Sequence, residues 1–331
     1  MKRLSLIFGL CMLSMFSISL RLKVPKSVNQ KVNRANKIKD SISAKKLGQR
    51  YVVIIGVDGL SPDGIQKACT PIMDSLMETG AYSMLAQAVL PTYSSPNWAS
   101  MLMGVPPSEH EIFSNGWKRA DVKGKRYCGE KRGQTWPTIF KVMRINNPEA
   151  TTATFFDWSD FGRLIEPGFP TIAADTKGAD LTIRTAKYYI INEKPDFTFI
   201  HIDHVDHAGH KYGHGTAEYY SAVEKADKLI GQIVDGLCNA GIERNTTIIV
   251  TSDHGGIGKR HGGRSARERT IPWIINGPNV KNNYEIKRVI NTYDTPATAL
   301  YILGIPAPDC WTGMPVQEAL RNEITELYRL K

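Results

Sequence analysis

Four short stretches of this chain hold the residue types that hydrolytic metal chemistry needs. The apolar, β-branched run Thr246–Val250 leads into Ser252-Asp253-His254-Gly255-Gly256. An Asp–His pair there offers a cation one carboxylate oxygen and one imidazole nitrogen, and the glycines let the backbone turn away. A second apolar run, Tyr51–Val57, ends in Asp58-Gly59. A third stretch, His201–His210, holds four of the eight histidines in ten residues, with His210 four positions after Asp206. In the fourth, Tyr93-Ser94-Ser95-Pro96 opens onto Trp98–Met103. A serine hydroxyl there sits near a helix N-terminus, where backbone N–H groups favour an anion. His261 is the last histidine of the chain. Carboxylates with imidazoles suit zinc, in mono- or binuclear form. A hydroxyl among them suits nucleophilic attack, because a bound metal lowers the pKa of an attached hydroxyl. Singly, each stretch has a plainer reading: an Asp-Gly turn, a helix cap, a solvated histidine loop. Their recurrence at the ends of apolar runs argues for one shared site.

The elements that must position these residues follow from the same pattern. Short runs of four to nine residues that are mainly apolar and β-branched read as buried strands. Such strands are expected over Tyr51–Val57, Tyr82–Leu90, Ala150–Phe156, Phe197–Ile202, Thr246–Val250 and Pro272–Ile275. Between them come helical stretches: one opened by Thr70-Pro71, one after Ser94, one from Trp136, then 178–192, Ala217–Ala240 and Asp294–Leu303. This alternation predicts an α/β fold with a mainly parallel central sheet and helices on both faces. In such a sheet the site lies outside the carboxyl ends of the strands, where Asp58, Asp253 and the Asp206 stretch fall.

The net charge of +10 would suit a polyanion partner, but its distribution does not. Residues 1–50 hold 12 lysines and arginines against one acid, Asp40, whereas the remainder carries 30 basic and 31 acidic residues. A nucleic-acid-binding body is therefore not expected. Met1-Lys2-Arg3 precedes an apolar stretch to Leu20, which reads as a signal peptide or a membrane anchor. Residues 21–48 read as a basic linker, and 49–331 as the hydrolase domain. The expected location is outside the cytoplasm, secreted or tethered through the N-terminus. Cys69, Cys128, Cys238 and Cys310 form no C-x-x-C pair, so a zinc–thiolate site is not expected. One or two disulfides remain open, with no pairing legible.

In this order the motifs resemble the nucleotide pyrophosphatase/phosphodiesterase branch of the alkaline phosphatase superfamily. The resemblance runs from Tyr51 to Pro315, through Asp58, Pro91–Asn97, Asn115, Asp206–His210 and Asp253-His254-Gly255. It implies an alkaline-phosphatase-like fold and two zinc ions, other divalent metals being alternatives. Asp58, Asp253, His254 and the Ser94 oxygen would surround the ion that activates the nucleophile. Asp206, His210 and a later histidine would surround the second, and His261 is the only histidine after His254. Ser94 would be the nucleophile, forming a covalent phosphoserine, and Asn115 would bind a phosphate oxygen. The chain departs from the family pattern in four ways. Ser94 stands for a threonine, Tyr93 for a lysine and Glu111 for a glycine, and the long insertion before the last histidine is missing.

The expected substrate is a small-molecule phosphate ester, a diester or nucleotide pyrophosphate before a monoester. Tyr93, Asn115 and Trp117 supply no cation for the second charge of a monoester, and Trp117 could stack on an aromatic group. A charged patch, Lys118 to Arg132, could return one. Two rivals stand beside this reading. One is a phosphomonoesterase, phosphonate hydrolase or sulfatase on the same scaffold, although Trp98 stands where a formylglycine sulfatase needs arginine. The other is an inactive, metal-stabilised binding protein.

Overall fold

The computed structural model describes residues 50–122, 128–130 and 133–321. The leader, the basic linker and Lys123 lie outside the described residues. Eight strands form one sheet: β1 (Tyr51–Val57), β2 (Ala81–Gln87), β3 (Thr152–Phe156), β4 (Ile172–Asp175), β5 (Phe197–Ile202), β6 (Thr246–Thr251), β7 (Thr270–Asn276) and β8 (Tyr284–Glu285). Their order is β4-β3-β5-β1-β6-β7-β2-β8. The block from β4 to β6 is parallel, and β7 runs antiparallel to both of its neighbours. The fold is thus the mainly parallel α/β sheet that the alternation of apolar runs implies. The strand expected over Pro272–Ile275 is β7, whose reversed direction no apolar pattern reports; the short β4 and β8 leave no signal, because four or two residues are too few for a period.

The alternation of side chains along β1 separates two cores. Val52 and Ile54 pack on one face, with Trp98, Leu102, Phe140 and Leu300 from the helices Ser94–Met103, Ile139–Asn146 and Asp294–Leu303. Val53, Ile55 and Val57 pack on the other, with Ile183, Val223 and Ile230 from Ala179–Glu193 and Ala217–Ala240. With both faces covered, every residue of β1, β5 and β6 is buried, which is why these strands are mainly apolar and β-branched on both faces rather than alternating.

The register of the central strands sets the site. Val57 stands beside Ile202, Gly56 beside Thr251, and Phe156 beside His201. The next residues, Asp157, Asp58 and Asp203, therefore line one edge of the sheet, with Asp253 two positions past β6. Asp58 N–H donates to Ile202 O at 2.9 Å, and Asp203 N–H to Asp157 Oδ1 at 2.9 Å. Ser252 stitches the two central turns together: its Oγ accepts from Leu60 N–H and donates to His254 O, both at 2.9 Å.

His110 ties the loop that carries Asn115 to the Ser94 helix. It is 4% exposed, its Nδ1 accepts from Ile112 N–H at 3.0 Å, and its Nε2 lies 3.0 Å from Ser100 Oγ. Burial pushes its pKa down to about 3. The unfolded chain takes up this proton near pH 6.5 and the folded chain does not. The stabilising effect is therefore complete above pH 6.5 and is lost as pH falls toward 3, at about 1.4 kcal/mol per pH unit. We expect His110→Gln to lose stability less steeply than the wild type between pH 6 and pH 4 in urea unfolding. Parallel curves would show that His110 titrates normally.

Candidate metal and active site

At the centre of the site is His254 Nε2. It lies 3.3 Å from Asp58 Oδ1, 3.3 Å from Asp253 Oδ2 and 3.2 Å from Ser94 Oγ. His254 Nδ1–H donates to Gly255 O at 2.7 Å, so Nε2 is the nitrogen presented to these oxygens. Asp58 Oδ1 and Asp253 Oδ2 are buried and have no hydrogen-bond partner among the described residues. The other oxygen of each carboxylate is held by the protein. Asp58 Oδ2 accepts from Trp98 Nε1–H at 2.9 Å and lies 3.2 Å from His201 Nε2, and Asp253 Oδ1 accepts from Gly59 N–H at 3.2 Å. Asp58, Asp253 and His254 offer three ligand atoms within 4.8 Å of one another. Two orphaned carboxylate oxygens and one imidazole nitrogen fit a divalent cation, with the Ser94 hydroxyl beside it.

The second group gathers on Asp206. The stretch after β5 is a helix, His204–Tyr212, so Asp206 and His210 share a face at i and i+4. His210 Nε2 lies 3.1 Å from Asp206 Oδ2 and 3.1 Å from His261 Nε2, which in turn is 3.8 Å from Asp206 Oδ1. Both rings are aimed by backbone acceptors: His210 Nδ1–H donates to Lys259 O at 2.9 Å and His261 Nδ1–H to Thr92 O at 2.8 Å. Thr92 also fixes the His261 loop by accepting from Gly262 N–H and donating to Gly263 O. The two groups touch, since the His254 and His261 rings stack with centroids 3.6 Å apart.

Electrostatics fit the same picture. Burial raises the Asp58 pKa, but hydrogen bonds from His201 and His254 outweigh it and hold the carboxyl well below its usual range. At Asp253 burial and the Asp58 charge push the pKa well up, against the opposing pull of His254. Burial and Asp58 likewise raise Asp203 to about 7. Burial disfavours a charged His254, yet Asp253 and Asp58 hold its pKa up at about 10. A divalent cation would compete with that proton for the same donors, so binding should release protons.

Ser94 opens its helix and is 4% exposed. Asn115 Oδ1 accepts from Ser95 N–H at 2.8 Å, which leaves the Asn115 Nδ2 hydrogens as donors beside the Ser94 helix. Arg163 Nη2–H donates to Asn115 O at 2.8 Å and pairs with Asp160. Tyr93 is 39% exposed at the rim, against the His261 ring. Trp117 corrects the stacking expectation: it is buried in the apolar core, its ring committed to packing. Arg119 is spent on the carbonyls of Arg163 and Ile165, so it does not return over the site. Of the dense histidine stretch, His204 turns to Ala222 O and His207 faces solvent.

Four supporting residues were not singled out by the sequence as parts of the site. His201 and Trp98 orient Asp58. Gly56 makes room for the indole, since a Cβ there would meet the Trp98 ring at 2.5 Å. His214 stands 3.8 Å from Asp206 Oδ1. A donor opposite a carboxylate is set by tertiary contact, and spacing along the chain does not report it.

The family profile described as type I phosphodiesterase / nucleotide pyrophosphatase matches residues 52–258, well over half of the chain and all the site residues except His261. The chain belongs to this family. It is 24% identical over 218 residues to an uncharacterized pyrophosphatase/phosphodiesterase of Schizosaccharomyces pombe, covering 62% of this chain and 45% of that protein. It is 26% identical over 196 residues to mouse ectonucleotide pyrophosphatase/phosphodiesterase family member 1, covering 56% of this chain and 21% of that one. The matched part of the chain thus spans less than half the length of either relative. Murine ectonucleotide pyrophosphatase/phosphodiesterase 5, solved in an inactive form with AMP, superposes with a TM-score of 0.67 at 15% identity, over 82% of this chain and 100% of that one. A 2-O GAG sulfatase superposes at 0.65 and 18% identity, over 82% and 74%. These two similarities establish the shared alkaline-phosphatase-like fold.

The Trp98 indole is the one neutral donor on Asp58, so its removal isolates the effect of orientation. We expect Trp98→Phe to fold, with a modest loss of stability, and to hold metal roughly tenfold more weakly in chelator competition. Unchanged affinity would mean that the indole only fills space.

Proposed function

We propose that this chain is an exported, metal-dependent hydrolase of phosphate esters, acting on diesters or nucleotide pyrophosphates before monoesters, with Ser94 as its nucleophile. The observation that carries this reading is the convergence of Ser94 Oγ, Asp58 Oδ1 and Asp253 Oδ2 on His254 Nε2 within 3.3 Å. The family supports the reaction class. Asp58, Asp253, His254 and Ser94 would hold one ion, and Asp206, His210 and His261 a second, with zinc the metal that best suits this donor set. When bound, the metal supplies Lewis-acid charge that acidifies a hydroxyl and stabilises oxygen anions.

The chain's own residues do the rest. The Ser94 oxygen attacks phosphorus, the bond to the leaving oxygen breaks, and the phosphoryl group is carried as a Ser94 ester until water releases it. Asn115 Nδ2 and the Ser94 backbone N–H donate to a non-bridging oxygen, the Ser95 N–H being held by Asn115 Oδ1. Burial of Ser94 limits competing water. Tyr93 offers an aromatic rim to the second organic arm of a diester. Arg119, bound to carbonyls, supplies no charge for a monoester. The sulfatase rival draws on fold likeness alone, and Trp98 in place of the needed arginine is bound to Asp58. The binding-protein rival does not account for a full donor set around a buried hydroxyl.

Export is supported by a disulfide, Cys128–Cys310, which suits an oxidising compartment, and by relatives named as ectoenzymes. Cys69 and Cys238 are unpaired. Among the described residues no helix is long and apolar enough to cross a membrane.

Ser94→Ala should keep fold and metal but lose turnover by several orders of magnitude, whereas Ser95→Ala, whose backbone N–H and not its hydroxyl bonds Asn115, should be mild. The reverse ranking on an aryl phosphodiester would move the nucleophile to Ser95. Wild-type kcat/KM for that diester should exceed that for the matching monoester at least roughly tenfold, about 1.4 kcal/mol of transition-state stabilisation. Equal or inverted rates would make this a monoesterase. Activity should disappear with chelators and return with zinc. Full activity with calcium or magnesium alone would exclude zinc as the working metal.

A further inference from the structure

Beside the Asp206 group stands a histidine that no motif includes. The His214 side chain is 4% exposed, and neither ring nitrogen has a hydrogen-bond partner among the described residues. Buried polar atoms are seldom left so, because each then bears its desolvation cost without a compensating hydrogen bond. Asp206 Oδ1, 3.8 Å from His214 Nε2, is a second buried orphan. This gap is too long for a direct hydrogen bond. It is too short for an ordinary bridging water, whose two bonds of about 2.8 Å would hold the atoms about 4.5 Å apart. It suits two donors of one divalent ion, since metal–ligand bonds of about 2.1 Å at a tetrahedral angle place them about 3.4 Å apart, and a wider angle spans more. His261 Nε2 stands at the same 3.8 Å from the same oxygen.

The backbone around His214 is shaped for the ring. A Cβ at Gly209, in the Asp206–His210 helix, would come 2.4 Å from His214 Nε2, and a Cβ at Gly256, in the turn after His254, 2.1 Å. Both ligand-bearing segments thus carry a glycine where the imidazole passes between them. Its backbone is held too, His214 N–H donating to Gly258 O at 2.7 Å.

We propose that His214 is a further metal ligand, giving its Nε2 to the ion held by Asp206, His210 and His261. The assignment rests on the metallohydrolase reading and extends it, making the second centre richer in imidazole than the sequence motifs imply. The test is zinc retention by the full chain under chelator competition, which resolves two classes of ion without an activity measurement. His214→Ala should lose the more weakly held ion at least tenfold more readily, with the ion at Asp58, Asp253 and His254 retained and the metal-free melting temperature little changed. Equal retention of both ions in His214→Ala would overturn the assignment and leave the hydrolase reading intact, whereas a wild-type protein that binds no zinc would overturn both. If the variant does not fold, a structure of the zinc-loaded wild type decides: His214 Nε2 at about 2.1 Å from the ion supports the assignment, and a distance beyond 3 Å rejects it.

Discussion

Carboxylates crowded at the ends of three parallel strands are the constraint on which the rest of this molecule depends. Asp58, Asp203 and Asp206 bring oxygens within 4.8 Å of one another, and Asp253 shares the same pocket. Two unit charges that close repel by about 3.5 kcal/mol even at an effective dielectric of about 20. The sheet imposes the crowding, because the register of β1 with β5 and β6 lines up the residues that follow each strand. Mutual repulsion of this size has to be met by positive charge. Histidines supply part of it. A divalent cation, with the candidate ligands already in place, would supply the rest without reorganisation. The strain is local, and two apolar cores on either face of the sheet hold it in place.

Asp58 shows how that pocket is organised. One of its oxygens is bound by the Trp98 indole and faces His201, and the other is left to the His254 and Ser94 side. His201 in turn stacks on Phe161 and approaches Asp157. The carboxylate is thereby oriented by groups that never face the substrate. Such outer partners are what keep a ligand oxygen within the few tenths of an ångström that coordination demands. The same economy recurs at His210 and His261, each turned by a backbone carbonyl on its far nitrogen.

The sequence made the sheet legible because β1, β5 and β6 are buried on both faces and so are continuous, mainly apolar runs. It made Asp58, Asp253 and His254 legible because they follow such runs closely, whereas the roles of Ser94, Asp206, His210 and His261 came from the family resemblance. The Ser94 helix and the helices Ala217–Ala240 and Asp294–Leu303 were equally plain from their caps and apolar spacing. What stayed hidden is contact across the chain. The helical state of His204–Tyr212 was masked by its polar composition, a ligand-bearing helix having few apolar positions to set a period. Trp117 looked like a stacking surface because nothing in the sequence says which aromatic is spent on the core. His201 and His214 looked like two histidines among eight. Only the register and the packing of two turns bring one to Asp58 and the other to Asp206. The Cys128–Cys310 pairing, 182 residues apart, was likewise beyond spacing arguments.

Every proposed donor lies between Asp58 and His261, on strand ends or on segments tied directly to them, so the metal chemistry belongs to the sheet. Substrate choice has to come from what surrounds it. The segment between the Ser94 and Ile139 helices brings Asn115 to the first turn of the Ser94 helix, and it is fastened at several points. Trp136 Nε1–H donates to Glu109 O, Thr312 Oγ–H to Glu109 Oε1, Arg163 holds the Asn115 carbonyl, and Cys128 is bonded to Cys310. A loop so fastened gives up little further entropy when it closes on an anion. It can therefore vary in its exposed side chains without disturbing Asn115. Phe113, 51% exposed two residues before Asn115, and Tyr93 across the site are the side chains free to do so. On the proposed function, selection among phosphate esters would rest on an apolar rim laid over a fixed polar centre. The centre would answer to the charge on phosphorus, and the rim to the organic groups attached to it.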